Sequence, residues 1–409
     1  MPRFLGWMTL LWLSYALTAC GESSHQADAD QALLDQPWAE LEAAARGQTL
    51  TWMMWQGDPL INAYVQDYVV PTVKERYDIE LRVASGQGNV IVSNLMTELE
   101  AGKATSELDL VWINGETFFQ LREIEGLYGP FVDRLPHAEY LDLQSPYIGL
   151  DFQQPIAGYE CPWGTVQQAL IYDSARVSEP PKTRAALAEW VKAHPGRFTL
   201  TNEFTGMSLL KAWLADLAGG RDALDGPYDP ALYERYAPQL WQFVNELKPY
   251  FWQQGETFPA SLAAMHQLFA AGELDFTMSM NNSEVDNKIL QGVFPPSARA
   301  YVPAYGSIRN AHYLGIPARS GHKAAAMVVI NVLISPEAQY EKLKPQIWGD
   351  GTVLARERLP QEWQQQFARV PTRRFAPDPV QIRQRAIQEP APRYMIRLFE
   401  DFRAEVIEP

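Results

Sequence analysis

Cysteine is the scarcest residue type in this chain of 409: only Cys20 and Cys161 occur. Basic residues are also few, 34 Lys and Arg against 49 Asp and Glu, for a net charge of −15. A nucleic-acid binder needs a basic surface, and none is supplied here. An acidic surface attracts cations at long range, or serves solubility alone. The six histidines are scattered, none in a metal-ligand spacing, and no Gly-x-Ser-x-Gly elbow is present. Each histidine therefore reads as a surface or core residue, and no catalytic residue, metal or cofactor is assigned. Two carboxylates about 5–10 Å apart would suit glycan hydrolysis, a separation that sequence cannot establish; an anchored glycan-acting enzyme stays a rival. No Tyr-Tyr pair, internal repeat or low-complexity tract occurs. Beyond residue 19 no apolar run is long enough to cross a membrane.

What is present is the composition of a globular protein, 47% hydrophobic and 20% charged. The length is too great for one ordinary core and suits two. At the N-terminus Arg3 precedes an uncharged, mostly apolar run from Phe4 to Ala19, the form of an export signal. It ends Leu17-Thr18-Ala19-Cys20-Gly21, which resembles a bacterial lipobox. That resemblance implies a lipoprotein signal over 1–20, lipidation of Cys20, and a protein exported to the periplasm and anchored in a membrane. The alternative is an ordinary secretory signal with a chance cysteine. With Cys20 lipidated, Cys161 has no disulfide partner and is a small apolar filler. Residues 21–47 read as a polar tether followed by a short helix from Pro37 to Arg46.

Three strand–turn–helix units follow. Leu50–Trp55, Ile79–Ala84 and Leu108–Ile113 are apolar runs, each stopping at Gly with polar residues and each followed by helical periodicity. Such alternation implies a parallel sheet covered by helices, whose ligands bind beyond the carboxyl ends of the strands. The rim candidates there are Gln56, Asp58, Gln87, Asn89, Asn114 and Glu116. Asp58 can instead cap a helix, and Glu116 can simply favour a helix first turn.

The stretch Gly158–Asp173, GYECPWGTVQQALIYD, reads as an aromatic loop feeding a strand that crosses between two domains. Tyr159 and Trp163 are placed in its mouth, where rings can stack a planar or cationic ligand. A second α/β region follows. It contains a short strand Phe198–Thr201, a loop-like insertion Asp222–Pro238, a helix Gln239–Trp252, a helix Ala260–Ala271 and a strand Leu274–Met280. Arg299–Ala304 and Tyr313–Pro317 then run extended, back toward the first region.

Together the lipobox, the three units, YECPWGTVQQALIYD, AMHQLFAAGELDFTMSMNNS and HYLGIPARS resemble the family-1 extracellular solute-binding proteins of ABC transporters. The similarity is nearest the group with thiamine, spermidine and iron binders. It covers nearly all of Gln48 to Phe402. The resemblance implies an α/β fold of the periplasmic-binding-protein type II, with two interleaved lobes joined by crossing strands. It implies lobe 1 over 48–160 plus 299–335 and lobe 2 over 161–298 plus 336–409. Its ligand-facing positions correspond here to the rim candidates above, to Tyr159 and Trp163, and to Thr205, Asn281, Asn282 and Tyr305. The implied protein is a monomer that closes on a small solute and delivers it to an inner-membrane permease and ATPase. An organic cation or heteroaromatic, thiamine-like or polyamine-like, is the favoured solute; a sugar is the alternative.

Overall fold

The computed structural model describes residues 29–371 and 373–408. The export signal, Cys20 and part of the expected tether lie outside the described residues. Residues 29–35 are helical (α1) and not a free tether. Leu34 is buried in a core, and the Lys323 ammonium lies 2.5 Å from the Asp30 carboxylate. Next comes α2 (Trp38–Ala45), the short helix expected there.

The first lobe is built on β1 (Thr49–Met54), β2 (Glu80–Ser85) and β3 (Leu110–Ile113), with β1 pairing both others in parallel. Their crossovers begin with α3 (Pro59–Ala63), which runs through a π-helical turn into α4 (Val70–Tyr77), and with α5 (Gly88–Glu100). The helix α6 (Gly115–Glu123) follows β3. Burial of β1 on both faces explains why it reads as a nearly continuous apolar run. A short helix, α7 (Pro146–Gly149), leads into the hairpin of β4 (Leu150–Asp151) and β5 (Gln154–Pro155).

The expected aromatic loop is a strand. β6 (Glu160–Gln167) pairs antiparallel with β10 (Ser307–Gly315), which in turn pairs β3 and β11 (Ala386–Gln388). Opposite His312 and Tyr313 the register skips Trp163, so this residue is the extra one of a β-bulge. Pro162 is tolerated in a strand at such a point because the ladder is already interrupted. After Gln168 the chain enters the second lobe as β7 (Ala169–Asp173), which pairs antiparallel with β8 (Phe276–Ser279) and β9 (Ala298–Tyr301).

Helices α8 (Arg184–Ala193), α9 (Phe204–Leu217), α10 (Pro230–Leu247), α11 (Leu262–Ala270) and α12 (Glu284–Leu290) complete the second lobe's central section. Two readings are corrected here. Residues 198–201 form no strand; Phe198 and Arg197 accept single backbone bonds from Trp252 and Asp275 instead of a ladder. Part of the expected loop over 222–238 is helix, because Asp229 caps α10 through bonds from Ala231 and Leu232 and Pro238 is accommodated inside it.

The chain returns through α13 (Lys323–Leu333), α14 (Pro336–Leu343) and α15 (Gln361–Ala368) on the first lobe. It ends with α16 (Pro379–Gln384), β11 and α17 (Pro392–Phe402). The buried apolar residues fall into two clusters, and these redraw the expected boundaries. Cys161, Trp163, Trp348, Val353, Leu354 and Phe367 belong to the first core. Tyr305 and Ile308 belong to the second. Trp348 is drawn to the first core because its ring packs 5.3 Å from Trp163 and 5.9 Å from Tyr64.

Candidate functional site between the lobes

The carboxyl ends of β1 and β3 face the second lobe, and direct bonds close the gap. The Asp58 side chain accepts from the N–H groups of Leu60 and Ile61, capping α3, while its other oxygen receives Lys288 of α12 at 2.9 Å. Lys288 also lies 3.3 Å from Glu284 on its own helix. Burial works against this ammonium, yet Glu284 and Asp58 outweigh it and hold its pKa above the ordinary value. Beside it the Asn287 amide donates to the Trp348 carbonyl at 2.5 Å and accepts from Arg373 at 3.2 Å. Every residue from Glu284 to Lys288 is buried; Lys288 and Asn287 reach the first lobe, while Val285 lies in the second core.

Two chemically distinct groups flank the crossing strands. The first is carboxylate-rich. Asp151 ends β4, Glu160 begins β6, Glu116 lies in the first turn of α6, and Glu389 follows β11. Lys211 of α9 is fully buried and pairs with Glu389; its ammonium also lies 4.8 Å from the centre of the Phe152 ring and 5.1 Å from that of Phe204. Burial raises the Asp151 and Glu160 carboxyls well above the ordinary range; Glu116 and Glu389 raise Asp151 further, and Asp151 raises Glu160. Burial also raises Glu116, against the pull of Lys211. Glu389 is pushed up to about 7 by burial despite Lys211. Gly115 is needed at this spot: a Cβ there would stand 1.9 Å from the Phe152 ring.

The second group is aromatic. Trp163 meets Trp112 at 4.9 Å, Trp52 at 5.6 Å and His312 at 5.3 Å between ring centres, and Trp348 stacks on His312. Buried Asp350 accepts from His312 at 2.9 Å and from Lys342 at 2.5 Å. Burial alone would raise the Asp350 carboxyl, but His312 and Lys342 hold it below its ordinary value. Gly164 permits this approach, since a Cβ would stand 1.9 Å from the His312 ring nitrogen.

The other expected site residues are distributed as follows. Gln56 and Asn114 are half-buried at strand ends, whereas Gln87 and Asn89 are exposed at the start of α5. Thr205 is buried in the first turn of α9, its carbonyl accepting from Gln168. Asn281 and Asn282 are half-buried and turn their amide oxygens to Ser283. Tyr159 is half-buried with the Arg122 guanidinium 3.5 Å over its ring.

Two placements are corrected. Trp163 is 0% exposed within the first core. Tyr305 is in the second core, where its hydroxyl accepts from Trp213 at 3.1 Å. An aromatic beside Pro and Gly looks like a loop residue, but a bulged strand buried on both faces has the same local composition. Sequence reading also passed over Asp151, Glu160, Lys211 and Glu389. The one local signal was a charged residue inside an apolar run, at Glu160 before Cys161 and at Lys211 within α9.

The chain is similar to known proteins over most of its length. A family model for bacterial extracellular solute-binding proteins matches residues 68–371. Protein YnjB of Escherichia coli K12 is 36% identical over 353 residues, 85% of this chain and 88% of YnjB. The spermidine/putrescine ABC transporter substrate-binding protein PotD of Streptococcus pneumoniae superposes with a TM-score of 0.58 at 15% identity, covering 87% of this chain and 99% of PotD. The periplasmic binding protein AfuA of Actinobacillus pleuropneumoniae, solved with fructose-6-phosphate, gives 0.62 at 12% identity, covering 88% and 99%. The fold is that of the periplasmic binding proteins.

Proposed function

The chain belongs to the bacterial extracellular solute-binding proteins, and we propose that it captures a small organic cation or cationic heteroaromatic for an ABC importer. The solute is held between the lobes and handed to a permease and its ATPase. The protein works as an exported, Cys20-anchored monomer without catalysis of its own.

The observation that supports this ligand class is the charge balance between the lobes. Glu116, Asp151, Glu160 and Glu389 stand there against the buried ammonium of Lys211. Carboxylates buried in excess of cations favour a ligand that brings positive charge. A sugar phosphate would meet the same carboxylates with like charge. A neutral sugar remains the second reading of the same cleft.

A thermal-shift panel of thiamine, spermidine, sugars and amino acids tests the reading. A ligand at one hundred times its Kd adds about 2.7 kcal/mol of stability. The cation reading stands if thiamine or spermidine raises the melting temperature and is recovered unchanged. It falls if sugars alone do so, or if a glycan is turned over.

A further inference from the structure

We propose that Asp151 and Glu160 form the seat of the ligand's cationic nitrogen, and that in the empty closed molecule a proton shared between them occupies this seat. Capture of the cation then expels that proton to solvent. The inference rests on the cation reading above and adds to it a particular subsite and a proton stoichiometry.

Geometry carries the argument. Asp151 is 1% exposed and Glu160 is 0% exposed, and their carboxyls face one another. Both oxygens of each carboxyl are buried without a well-formed hydrogen bond. Buried polar groups in folded proteins are almost always bonded. Beyond each other and the Gly115 N–H, the two carboxyls have no polar partner among the described residues, which makes the pair a place for a proton or a cation.

The neighbouring charges do not fill it. From α6 come Glu116, itself acidic, and Arg122, whose guanidinium is stacked 3.5 Å over the Tyr159 ring. From β10 comes Tyr313, whose hydroxyl donates to the Leu150 carbonyl. Cys161 adjoins Glu160 on β6, and burial pushes its thiol far up. Glu389 is acidic and is already paired with Lys211.

That last pair is an independent sign of what the region accepts. The Lys211 ammonium is wholly enclosed by a carboxylate and the faces of Phe152 and Phe204. Phe152 directly follows Asp151, so an ammonium in a carboxylate-and-ring surround is already housed one residue away. The seat adjoins β6 and β10, the strands that pass between the lobes.

Titration calorimetry on the full mature protein tests this. Thiamine and spermidine serve as probes, at pH 7.5, in phosphate and in Tris, whose ionisation heats differ. The wild type should release about one proton per cation bound. The double variant Asp151→Asn, Glu160→Gln should release none and bind at least about tenfold more weakly. Each single variant should show an intermediate loss, which covers the case of a double variant that fails to fold. If a cation binds the wild type with no proton released, the subsite is wrong while the cation reading survives. The same holds if the double variant binds as tightly as the wild type. If neither probe binds and a neutral sugar does, the ligand class falls and the subsite with it.

Discussion

The Lys288 ammonium of α12 lies 2.9 Å from the carboxylate of Asp58, which caps α3 in the other lobe. One side chain therefore does two things: it starts a helix of the first lobe and latches the second. Lobe closure is a hinge motion governed by such contacts. Lys288→Met should leave the cap intact and release the latch, a loss of about 1–3 kcal/mol for a partly buried charge contact. Small-angle scattering of the ligand-free variant should show a larger radius of gyration than the wild type. An unchanged radius would mean that other interlobe bonds suffice.

Stability should depend on pH through the buried carboxyls. Their pKa values are raised on folding. The unfolded chain therefore holds fewer protons than the folded one between the two values, and stability falls as pH rises through that window. For Glu389 the window runs from its ordinary 4.5 to about 7. Ligand-free wild type should thus melt at a higher temperature at pH 6 than at pH 8. Asp151→Asn with Glu160→Gln should flatten that dependence, as measured by scanning calorimetry.

Above about pH 7, where its carboxyl is ionised, Glu389 is the counter-charge of Lys211. At pH 8 Glu389→Gln leaves the Lys211 ammonium buried with no counter-charge, a change that costs about 3–5 kcal/mol. Removing both charges, with Lys211→Met added, should recover most of the loss. A denaturation cycle over the four proteins measures this, and a double variant no better than the single one would refute it.

Trp163→Ala should act on folding and not chiefly on binding. The side chain is wholly enclosed among Trp52, Trp112 and Trp348, and emptying such a site costs about 3–5 kcal/mol. The denaturation midpoint should fall by a similar amount with and without ligand. A normal midpoint with lost affinity would return Trp163 to the ligand's side.

Much of this protein was determined by the order of its residues alone. Apolar runs stopped by glycine and polar residues specify β1, β2 and β3 and the helices between them, because strand and helix periodicity act over a few residues. The same locality makes Asp58 legible as a cap. Locality is also why some readings went astray: Pro238 looks like the end of a loop, and the run around Trp163 looks like a mouth. A helix capped at Asp229 holds the first, and a partner strand 148 to 155 positions away, from Gly164 with His312 to Glu160 with Gly315, buries the second. Only the tertiary structure could gather Glu116, Asp151, Glu160, Lys211 and Glu389 into one interlobe cluster. The shifts in their pKa values depend on burial and distance, which no pattern of neighbours along the chain encodes.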